Sequence, residues 1–563
     1  MQPYRIRWIR LLLLCGAANS MINHPCGLQA AEVPPGVQLA ALQQLIITNG
    51  AEIATVDPHK THGTPAGNVM RNVFEGLVNL NREGQVVPGV AQRWQQSPEG
   101  KTWTFYLRPN AKWSNGDSIT AQDFVYSWRR LADPATRSPY ASYLVNMRLA
   151  NSAEVIAGKQ PLEALGIHAL DDHTLQLQLS QPVAYLVKML AVCDLYPLHA
   201  PTIARYGEGR DDHRWTAVSH FVGNGAYRIQ EWVVNEKLVL TRNEHYWDNA
   251  HTVIESVTYL ASEDEVVDMR RYQAAEVDIT NTRLPLAHFQ QLQQQYPQEL
   301  RYFPVPGTYA YQLNLRRPPF NDRRVRQALS IVLDREKIVQ QLLGQGEQVA
   351  YSLNPPTIEG FSLKRPVWAD WPQAQRCQEA QRLLKEAGYH IDNPLRFTLF
   401  YSTSELHEQI AVALASQWKQ SLEMVEITFA CEEWKVFLQS RLSGHYQIAR
   451  NGWEADYNEP SALLNNLLSN SGKNSCFYHS SIFDHWLEQA LQATTDEACR
   501  HSYQQAEAQL AEDVPLIPLF HRVAHRLVKP YVGGLSDRNP MGLFYVKDLY
   551  LMQHPQAPSR YRQ

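Results

Sequence analysis

The chain has 563 residues and a formal net charge of −4, with 44% hydrophobic and 19% charged residues. This length predicts two or three packed units rather than a single core. The near-neutral balance, without any run of five like charges, excludes the basic stripe that nucleic-acid binding requires, so we expect no nucleic-acid partner.

The first 30 residues have the pattern of an export signal. Three arginines among the first ten residues supply a positive region, and the apolar stretch 11–18 follows. That stretch is shorter than the roughly 20 residues that cross a bilayer, so we expect a signal peptide over 1–30 and an exported chain. Cleavage near Ala18 and cleavage after Ala30 both fit the sequence. A buried N-terminal helix is the alternative.

The strands and helices predicted along the chain alternate, which is typical of a mixed α/β class with several sheets. The first elements are a strand over 102–107, an Asn-Gly turn over 113–117 and a helix capped by Thr120, with Asp123 three residues on. The stretch 174–179 alternates strictly between polar and apolar residues, as a half-buried strand does.

Longer elements follow in the second half of the chain. They are helices over 322–343, 374–387 and 496–511 and a strand over 514–519. Two segments rich in proline and glycine, 197–201 and 304–307, are candidate domain limits.

Recognisable catalytic and metal motifs are missing from the sequence. There is no G-x-S-x-G, no phosphate-binding loop and no dinucleotide fingerprint. The pair His407-Glu408 begins like H-E-x-x-H, but Ala411 stands where the second imidazole is needed. Five of the seven cysteines follow the predicted signal, without C-x-x-C spacing or a regular framework. We therefore predict no catalytic residue, no metal and no cofactor.

The densest group of functional residue types lies at 448–460, with the sequence IARNGWEADYNEP. It combines a cation, two aromatic residues, a glycine and several carboxylates, and it has no helical periodicity. We interpret it as a strand that runs into a loop, where polar groups face a cleft. A surface loop with one buried tryptophan and an arginine–carboxylate pair is the alternative from the residues alone.

Several sequence runs carry a family resemblance. They are VFEGLV at 73–78, AKWSNGD at 111–117, TAQDFVYSW at 120–128, NGAY at 224–227, WVVNEK at 232–237, PFND at 319–322 and ADYNEP at 455–460. Over about 39–551 the chain resembles the family 5 solute-binding proteins of ABC importers, especially the oligopeptide-binding and murein-tripeptide-binding members.

This resemblance implies a two-lobed periplasmic binding protein fold, of the class II or cluster C type, with an additional third domain. Carried onto this chain, lobe I comprises 31–74, 200–306 and 524–563, the extra domain 75–199 and lobe II 307–523. The resemblance also implies a monomeric periplasmic receptor, not an enzyme. Such a receptor delivers short peptides to ABC transporter permease subunits in the inner membrane.

The resemblance also assigns ligand-binding residues. Asp456 matches the carboxylate that pairs with a peptide's N-terminal ammonium, and Arg450 and His407 match the groups that meet the C-terminal carboxylate of short peptides. The other matched positions are three pocket aromatics and one position on the strand that hydrogen-bonds the peptide main chain: Tyr140, Trp434, Trp453 and Gly452. An ordinary core position is the alternative for each aromatic residue.

Several positions depart from the oligopeptide-binding pattern. The cysteine pair of that family aligns with Gly307 and Glu454, so the disulfide that the resemblance would imply cannot form. An acidic residue aligns with His62, and a run of tyrosines aligns with 520–522 (FHR). We therefore expect a less acidic pocket, in which His62 and Arg522 favour short or acidic peptides, including cell-wall fragments.

Two alternatives to a general peptide receptor remain at this point. One is a murein tripeptide or dipeptide receptor on the same fold. The other, from a different class, is a peptide hydrolase or a chaperone. A receptor returns its peptide intact, whereas a hydrolase turns it over.

Overall fold

The computed structural model describes residues 31–61, 63–207, 213–359, 361, 365–493 and 495–555. The predicted signal peptide over 1–30 and the site residue His62 lie outside these ranges.

The strands are β1 Gln44–Thr48, β2 Val78–Leu80, β3 Val86–Pro88, β4 Ala91–Gln96, β5 Thr102–Leu107, β6 Ile167–Asp171, β7 Thr174–Gln178, β8 Tyr227–Val233, β9 Lys237–Arg242, β10 Ser256–Leu260, β11 Leu300–Leu313, β12 Gln348–Val349, β13 Leu395–Ser402, β14 Val425–Glu432, β15 Ile448–Glu454, β16 Leu516–Leu527, β17 Val532–Gly533 and β18 Tyr550–Leu551.

The α-helices are α1 Thr64–Val73, α2 Ala121–Ala132, α3 Ser142–Asn146, α4 Ser152–Ile156, α5 Leu186–Met189, α6 Ala200–Tyr206, α7 Glu265–Gln273, α8 Phe289–Gln295, α9 Arg323–Ile331, α10 Arg335–Lys337, α11 Gln373–Glu386, α12 Glu405–Ser421, α13 Trp434–Leu442, α14 Ser461–Leu464, α15 Ser481–Gln492 and α16 Asp496–Asp513.

Three larger sheets organise these elements. The first has the order β1-β10-β9-β8 and the second the order β4-β5-β7-β6. The third is six-stranded, in the order β12-β16-β11-β15-β13-β14, and mixes parallel with antiparallel pairs. The first two sheets contribute to one shared apolar core. The third sheet packs against two separate clusters of buried apolar residues. The prediction of a mixed α/β protein with several sheets is confirmed.

Local sequence patterns explain the elements of the second sheet. In β5 the alternate residues Trp103, Phe105 and Leu107 are buried, as the period of two of a half-buried strand requires. Helix α2 begins after Thr120, whose backbone N–H donates to the Asp123 carboxylate at 2.8 Å in a capping box. Both elements confirm the sequence predictions.

The predicted continuous helix over 322–343 is wrong. It is divided into α9, the short α10 and a π-helical turn over Ile338–Leu343. Asp334 causes the break, because its side chain accepts a hydrogen bond from Lys337 N at 3.2 Å while its own N–H donates to Gln417 at 2.7 Å. The predicted end is correct: Gly344 closes the turn with a φ of 63°.

Strands β11 and β16 connect the apolar cores. They pair from Leu300 opposite Leu527 to Gln312 opposite Leu516, and the ladder is irregular between Pro304 and Thr308. The candidate domain limit at 304–307 therefore coincides with an interruption in the two strands that run between the cores. The boundaries of the lobes stay a prediction.

Three further observations bear on function. Within the ranges listed above, no helix has the length and apolar character needed to cross a membrane. The same residues contain no group of three or more His, Cys, Asp or Glu side chains that could hold a metal ion. The five cysteines after the predicted signal are free thiols.

Candidate functional site

One face of the third sheet collects several of the predicted binding residues. In the β11–β15 ladder, Tyr309 lies opposite Gly452 and Gly307 lies opposite Glu454, while Arg450 lies two residues before Gly452. Because side chains alternate along a strand, these residues share one face of the sheet. The segment 448–460 is indeed a strand followed by a loop, as predicted.

The edge of β15 beside this face is open. Strand β13 pairs with β15 only at Ile448 and Ala449, so among the described residues the part over 450–454 has a strand on one side only. Gly452 is exposed, and a Cβ built there would meet nothing closer than Arg450 Nη2 at 3.8 Å. Backbone groups at such an edge are available to an extended ligand.

Asp456 lies just beyond the end of β15. Its side chain is exposed, yet the protein around it raises the pKa of its carboxyl group, with the Lys473 charge acting in the opposite direction. Both properties fit a carboxylate in a deep cleft, which water reaches although protein surrounds it. Across the described part of the chain, Asp456 has no hydrogen-bond or ion-pair partner.

A second carboxylate, Asp194, lies close to Asp456. It belongs to a 3₁₀ turn at Cys193–Leu195, which Trp128 holds by donating from Nε1 to the Leu195 carbonyl at 3.0 Å. Burial and the Asp456 charge raise the pKa of Asp194 to about 8. Burial, Asp194 and Asp456 also raise the pKa of Tyr140, which places this predicted pocket residue beside both carboxylates. Sequence reasoning missed Asp194, because no local pattern distinguishes it.

Arg450 marks the other end of the site. Its guanidinium carbon lies 5.3 Å from the Tyr309 ring centre and 5.9 Å from the ring centre of Trp434, which begins α13. Its Nε is buried without a hydrogen-bond partner, and no carboxylate of the described residues pairs with it. The structure therefore brings two of the predicted site residues, Arg450 and Trp434, together and leaves the Nε donor of Arg450 unused.

His407 joins Arg450 from the first turn of α12. Its Nδ1 lies 3.2 Å from the Tyr309 hydroxyl, so the two groups share a hydrogen bond. Burial, followed by the charges of Arg450, Arg283 and Arg522, lowers the pKa of His407 to about 3. The imidazole is therefore neutral at physiological pH and contributes hydrogen bonding rather than charge.

Arg522 projects into the same region from β16. Its side chain is 44% exposed and forms an ion pair with Glu454. Burial and the charges of Arg283 and Arg450 lower the pKa of Arg522 to about 10. As for Asp456, a side chain that is partly exposed to water but surrounded by protein fits a position inside a cleft. Arg283 was not predicted from the sequence, because it lies far along the chain from the 448–460 segment.

Two neighbours of these residues lie on the opposite face of the sheet. Trp453 is 8% exposed and packs in an apolar cluster with Ala310. His521 is buried, and its Nδ1 shares a 2.8 Å hydrogen bond with Thr308 Oγ1. By contrast, Phe520 lies on the site face, where it stacks on Tyr309 with ring centres 4.8 Å apart. A pocket role for Trp453 stays a prediction.

The site thus has two ends of opposite character. Asp456 and Asp194 form an acidic end, and Arg450, Arg522 and Arg283 form a basic end. The open edge of β15 lies between them. This arrangement can hold an extended ligand that has a cationic group at one end and an anionic group at the other.

Comparison with known proteins gives consistent matches over most of the chain. The model of the bacterial extracellular solute-binding proteins, family 5 middle, matches residues 85–475. The periplasmic oligopeptide-binding protein OppA of Salmonella typhimurium is 46% identical over 525 residues, which cover 93% of this chain and 95% of that protein. The probable deoxycholate-binding periplasmic protein YgiS of Escherichia coli is 40% identical, with coverage of 94% and 97%.

Solved structures agree with these matches. Haemophilus influenzae OppA in complex with the peptide RPPGFSPFR has a TM-score of 0.81 and 40% identity, covering 92% of this chain and 100% of that chain. The Escherichia coli murein tripeptide binding protein MppA has a TM-score of 0.82 and 39% identity, with the same coverage. The α/β multi-domain fold described above is therefore the fold of periplasmic binding proteins.

Proposed function

The chain belongs to the family 5 bacterial extracellular solute-binding proteins, and from this premise we propose that it is a periplasmic peptide receptor for an ABC importer. Members of this family are transport receptors rather than enzymes, and the protein is a binding protein in the same sense. Its partners are peptides and the permease of the importer. We further propose that it is a monomer exported by a cleaved signal peptide.

The observation that carries the proposal is the pair of unsatisfied charges at the two ends of β15. A desolvated charge is costly unless it is paired, so Asp456 favours a cation and Arg450 an anion. A peptide with both ends free supplies an ammonium group and a carboxylate group on one extended molecule. We assign the ammonium to Asp456, with Asp194 close by, and the carboxylate to Arg450 and His407.

The open edge of β15 can bind the main chain of the peptide between its two charged ends. Hydrogen bonds from the main chain of 450–454 to the main chain of a peptide do not depend on its side chains. Tyr140 near the acidic end and Trp434 near the basic end supply aromatic surface for those side chains. This combination supports binding of many peptide sequences.

The proposed capture mechanism is closure of two lobes about β11 and β16. In the predicted division, Asp194 belongs to the extra domain and Asp456 to lobe II, so one ammonium group contacts both sides of the cleft. A ligand that touches both sides shifts the equilibrium toward the closed form. The interruption of the ladder between Pro304 and Thr308 is our candidate for the hinge.

A murein peptide receptor is the second candidate. The TM-score to MppA, 0.82, equals that to OppA, 0.81, within 0.01, and murein peptides share the ammonium and carboxylate groups that the site requires. Deoxycholate, the ligand in the description of YgiS as a probable deoxycholate-binding protein, carries a carboxylate but no amine. The unpaired Asp456 therefore favours a peptide over a bile acid for this chain.

Native mass spectrometry of the purified mature protein, followed by denaturation and sequencing of the released ligand, tests the proposal. We expect intact peptides with free amino ends from the wild type and from the control Asp392→Asn, whose side chain is 89% exposed. We expect Asp456→Asn to lose them. Absence of bound peptide, together with no thermal shift from a peptide and murein-fragment library, would overturn the assignment. Release of cleaved fragments would indicate a hydrolase instead.

A further inference from the structure

Arg283 has a fixed position beside the basic end of the site. It follows a segment held against β16, where Thr280 N donates to the Leu527 carbonyl at 3.0 Å and Asn281 Oδ1 accepts from Arg526 at 2.7 Å. The next residue, Leu284, is 1% exposed. Arg283 is therefore an exposed side chain on an anchored backbone.

The charge of Arg283 acts on the same groups as those of Arg450 and Arg522. It lowers the pKa of His407 together with both of these arginines, after the larger effect of burial. It also opposes the burial that raises the pKa of Glu347. The contacts of the neighbouring residue agree, because the Leu284 carbonyl accepts a hydrogen bond from Gln345 Nε2 at 3.5 Å. The chain after Gln345 enters β12, where Gln348 lies opposite His521, next to Arg522. These contacts place Arg283 beside Arg522, in the region of the cleft that also holds Arg450.

The available carboxylates do not satisfy all three arginines. Glu454 pairs with Arg522, and the terminal carboxylate of a bound peptide is assigned to Arg450 under the proposed function. Glu347 is 8% exposed and accepts a hydrogen bond from Gln345 N at 3.2 Å, and it makes no ion pair with Arg283 among the described residues. Burial raises the pKa of Glu265 and the Arg283 charge opposes this rise, but the two groups form no ion pair among the described residues. One guanidinium group is therefore left without an ion-pair partner in that part of the chain.

We propose that Arg283, supported by Arg522, binds a second carboxylate of the ligand, so that the receptor selects peptides with an acidic side chain at one of the last two positions. This inference rests on the proposed function, because it assumes that the carboxyl end of a peptide lies at Arg450. It names a specificity residue that the sequence pattern did not indicate.

The placement of the arginines also gives the second carboxylate a role in closure. Arg283 lies in the predicted lobe I, whereas Arg450 and Arg522 lie in the predicted lobe II. Like charges on both sides of a cleft repel one another when the cleft closes, and an anion between them removes that repulsion. An acidic peptide therefore stabilises the closed form more than a neutral peptide does.

Isothermal titration calorimetry with the unfolded and refolded, ligand-free protein tests this inference. The peptides are Ala-Ala-Ala, Ala-Ala-Glu, Ala-Glu-Ala and Ala-Ala-Lys, with Arg283→Gln as the variant and Arg396→Gln as the control. Arg396 is 64% exposed and pairs with Glu426 on the outer strands β13 and β14. We expect the better of the two glutamate peptides to bind about tenfold or more tightly than Ala-Ala-Ala in the wild type and the control.

In Arg283→Gln we expect this preference to fall to about threefold or less, with the affinity for Ala-Ala-Ala unchanged within about twofold. Equal binding of the neutral and acidic peptides by the wild type would overturn the inference while leaving the proposed function intact. A preference that persists in Arg283→Gln would overturn the role of that residue. Failure of all four peptides to bind would count against the proposed function itself.

Discussion

Gly307 and Glu454 lie directly opposite one another on β11 and β15. A Cβ built at Gly307 would lie 2.9 Å from Glu454 Cγ and 2.7 Å from the Trp453 carbonyl oxygen. These are the positions at which the resemblance aligned a cysteine pair, so this chain places a glycine and an ion-paired glutamate where relatives are expected to be cross-linked. The glutamate now holds Arg522 in the cleft.

Substitution Gly307→Ala should destabilise the protein. Contacts under 3.0 Å with a backbone oxygen require the two strands to shift, which costs about 1–3 kcal/mol in the free energy of unfolding. Urea denaturation measures the change. Gly472→Ala is the matched control, because no atom lies within 4 Å of its Cβ position. Equal stability of the two variants would contradict the close packing of β11 on β15.

Peptide binding should release a proton from Asp194. Its pKa of about 8 keeps the ligand-free carboxyl group protonated at pH 6.5, and an ammonium group nearby lowers that pKa. Calorimetry at pH 6.5 in buffers of different ionisation enthalpy measures the release, because the peptide's own amino group is already charged there. We expect Asp194→Asn to reduce it. If the variant releases as many protons as the wild type, the proposed contact between Asp194 and the peptide's ammonium group is wrong.

The same group should make the stability of the ligand-free protein depend on pH. A carboxyl group whose pKa is raised on folding favours the folded state below its unfolded pKa, near 3.8, and this contribution is lost as pH rises through about 8. Asp194→Asn should therefore raise Tm by about 2 °C or more at pH 8 and by less at pH 5. Differential scanning calorimetry at both pH values checks this. A larger rise in Tm at pH 5 than at pH 8 would show that Asp194 does not destabilise the folded state at high pH.

Removing the charge of Arg450 should affect only ligands with a free carboxylate. Arg450→Met keeps apolar contact with Tyr309 and Trp434 but loses the guanidinium group. We expect the affinity for Ala-Ala-Ala to fall by about 30-fold or more, as for other desolvated charge pairs. The affinity for the C-terminally amidated peptide should change far less. An equal loss of affinity for both peptides would show that the terminal carboxylate of the peptide does not bind at Arg450.

Lys188 should stabilise the closed cleft. It reaches from the predicted extra domain to lobe II, with its Nζ 2.9 Å from Glu359, 3.4 Å from Glu459 and 3.3 Å from the Asn458 carbonyl. Lys188→Met leaves the buried Glu459 without this partner, so we expect about tenfold weaker peptide binding. Small-angle scattering should show a larger radius of gyration. Lys188→Arg is the control, and unchanged affinity and scattering in Lys188→Met would exclude this role.

Local periodicity predicted much of the fold. The strand β5 and the capped helix α2 follow from side-chain patterns that depend on near neighbours only. The strand in the 448–460 segment was predicted because that segment has no helical periodicity. The helix predicted over 322–343 failed because Asp334 makes a tertiary hydrogen bond to Gln417, which no local pattern encodes.

The site was predictable only in part, for a similar reason. Asp456 and Arg450 stand in one short segment whose composition is unusual, so the sequence indicates them directly. Asp194 and Arg283 reach the site through a turn held by Trp128 and a segment held by β16. Their positions depend on tertiary contacts between distant parts of the chain.

The extended course of β15 sets the length of the ligand. Six residue steps separate Arg450 from Asp456, and a strand rises about 3.3 Å per residue, so their Cα atoms are at most about 20 Å apart. The Arg450 side chain folds toward Asp456, since its Nη2 lies 3.8 Å from the Cβ position of Gly452, two residues further along. The four remaining steps span about 13 Å, and the hydrogen bonds at the two ends leave roughly 10 Å at most, or about three extended residues. A tripeptide therefore spans both charges, whereas a longer peptide must carry its carboxyl end past Arg450. On the proposed assignment, the length of the ligand is set by the separation of two charges, one on β15 and one just beyond its end.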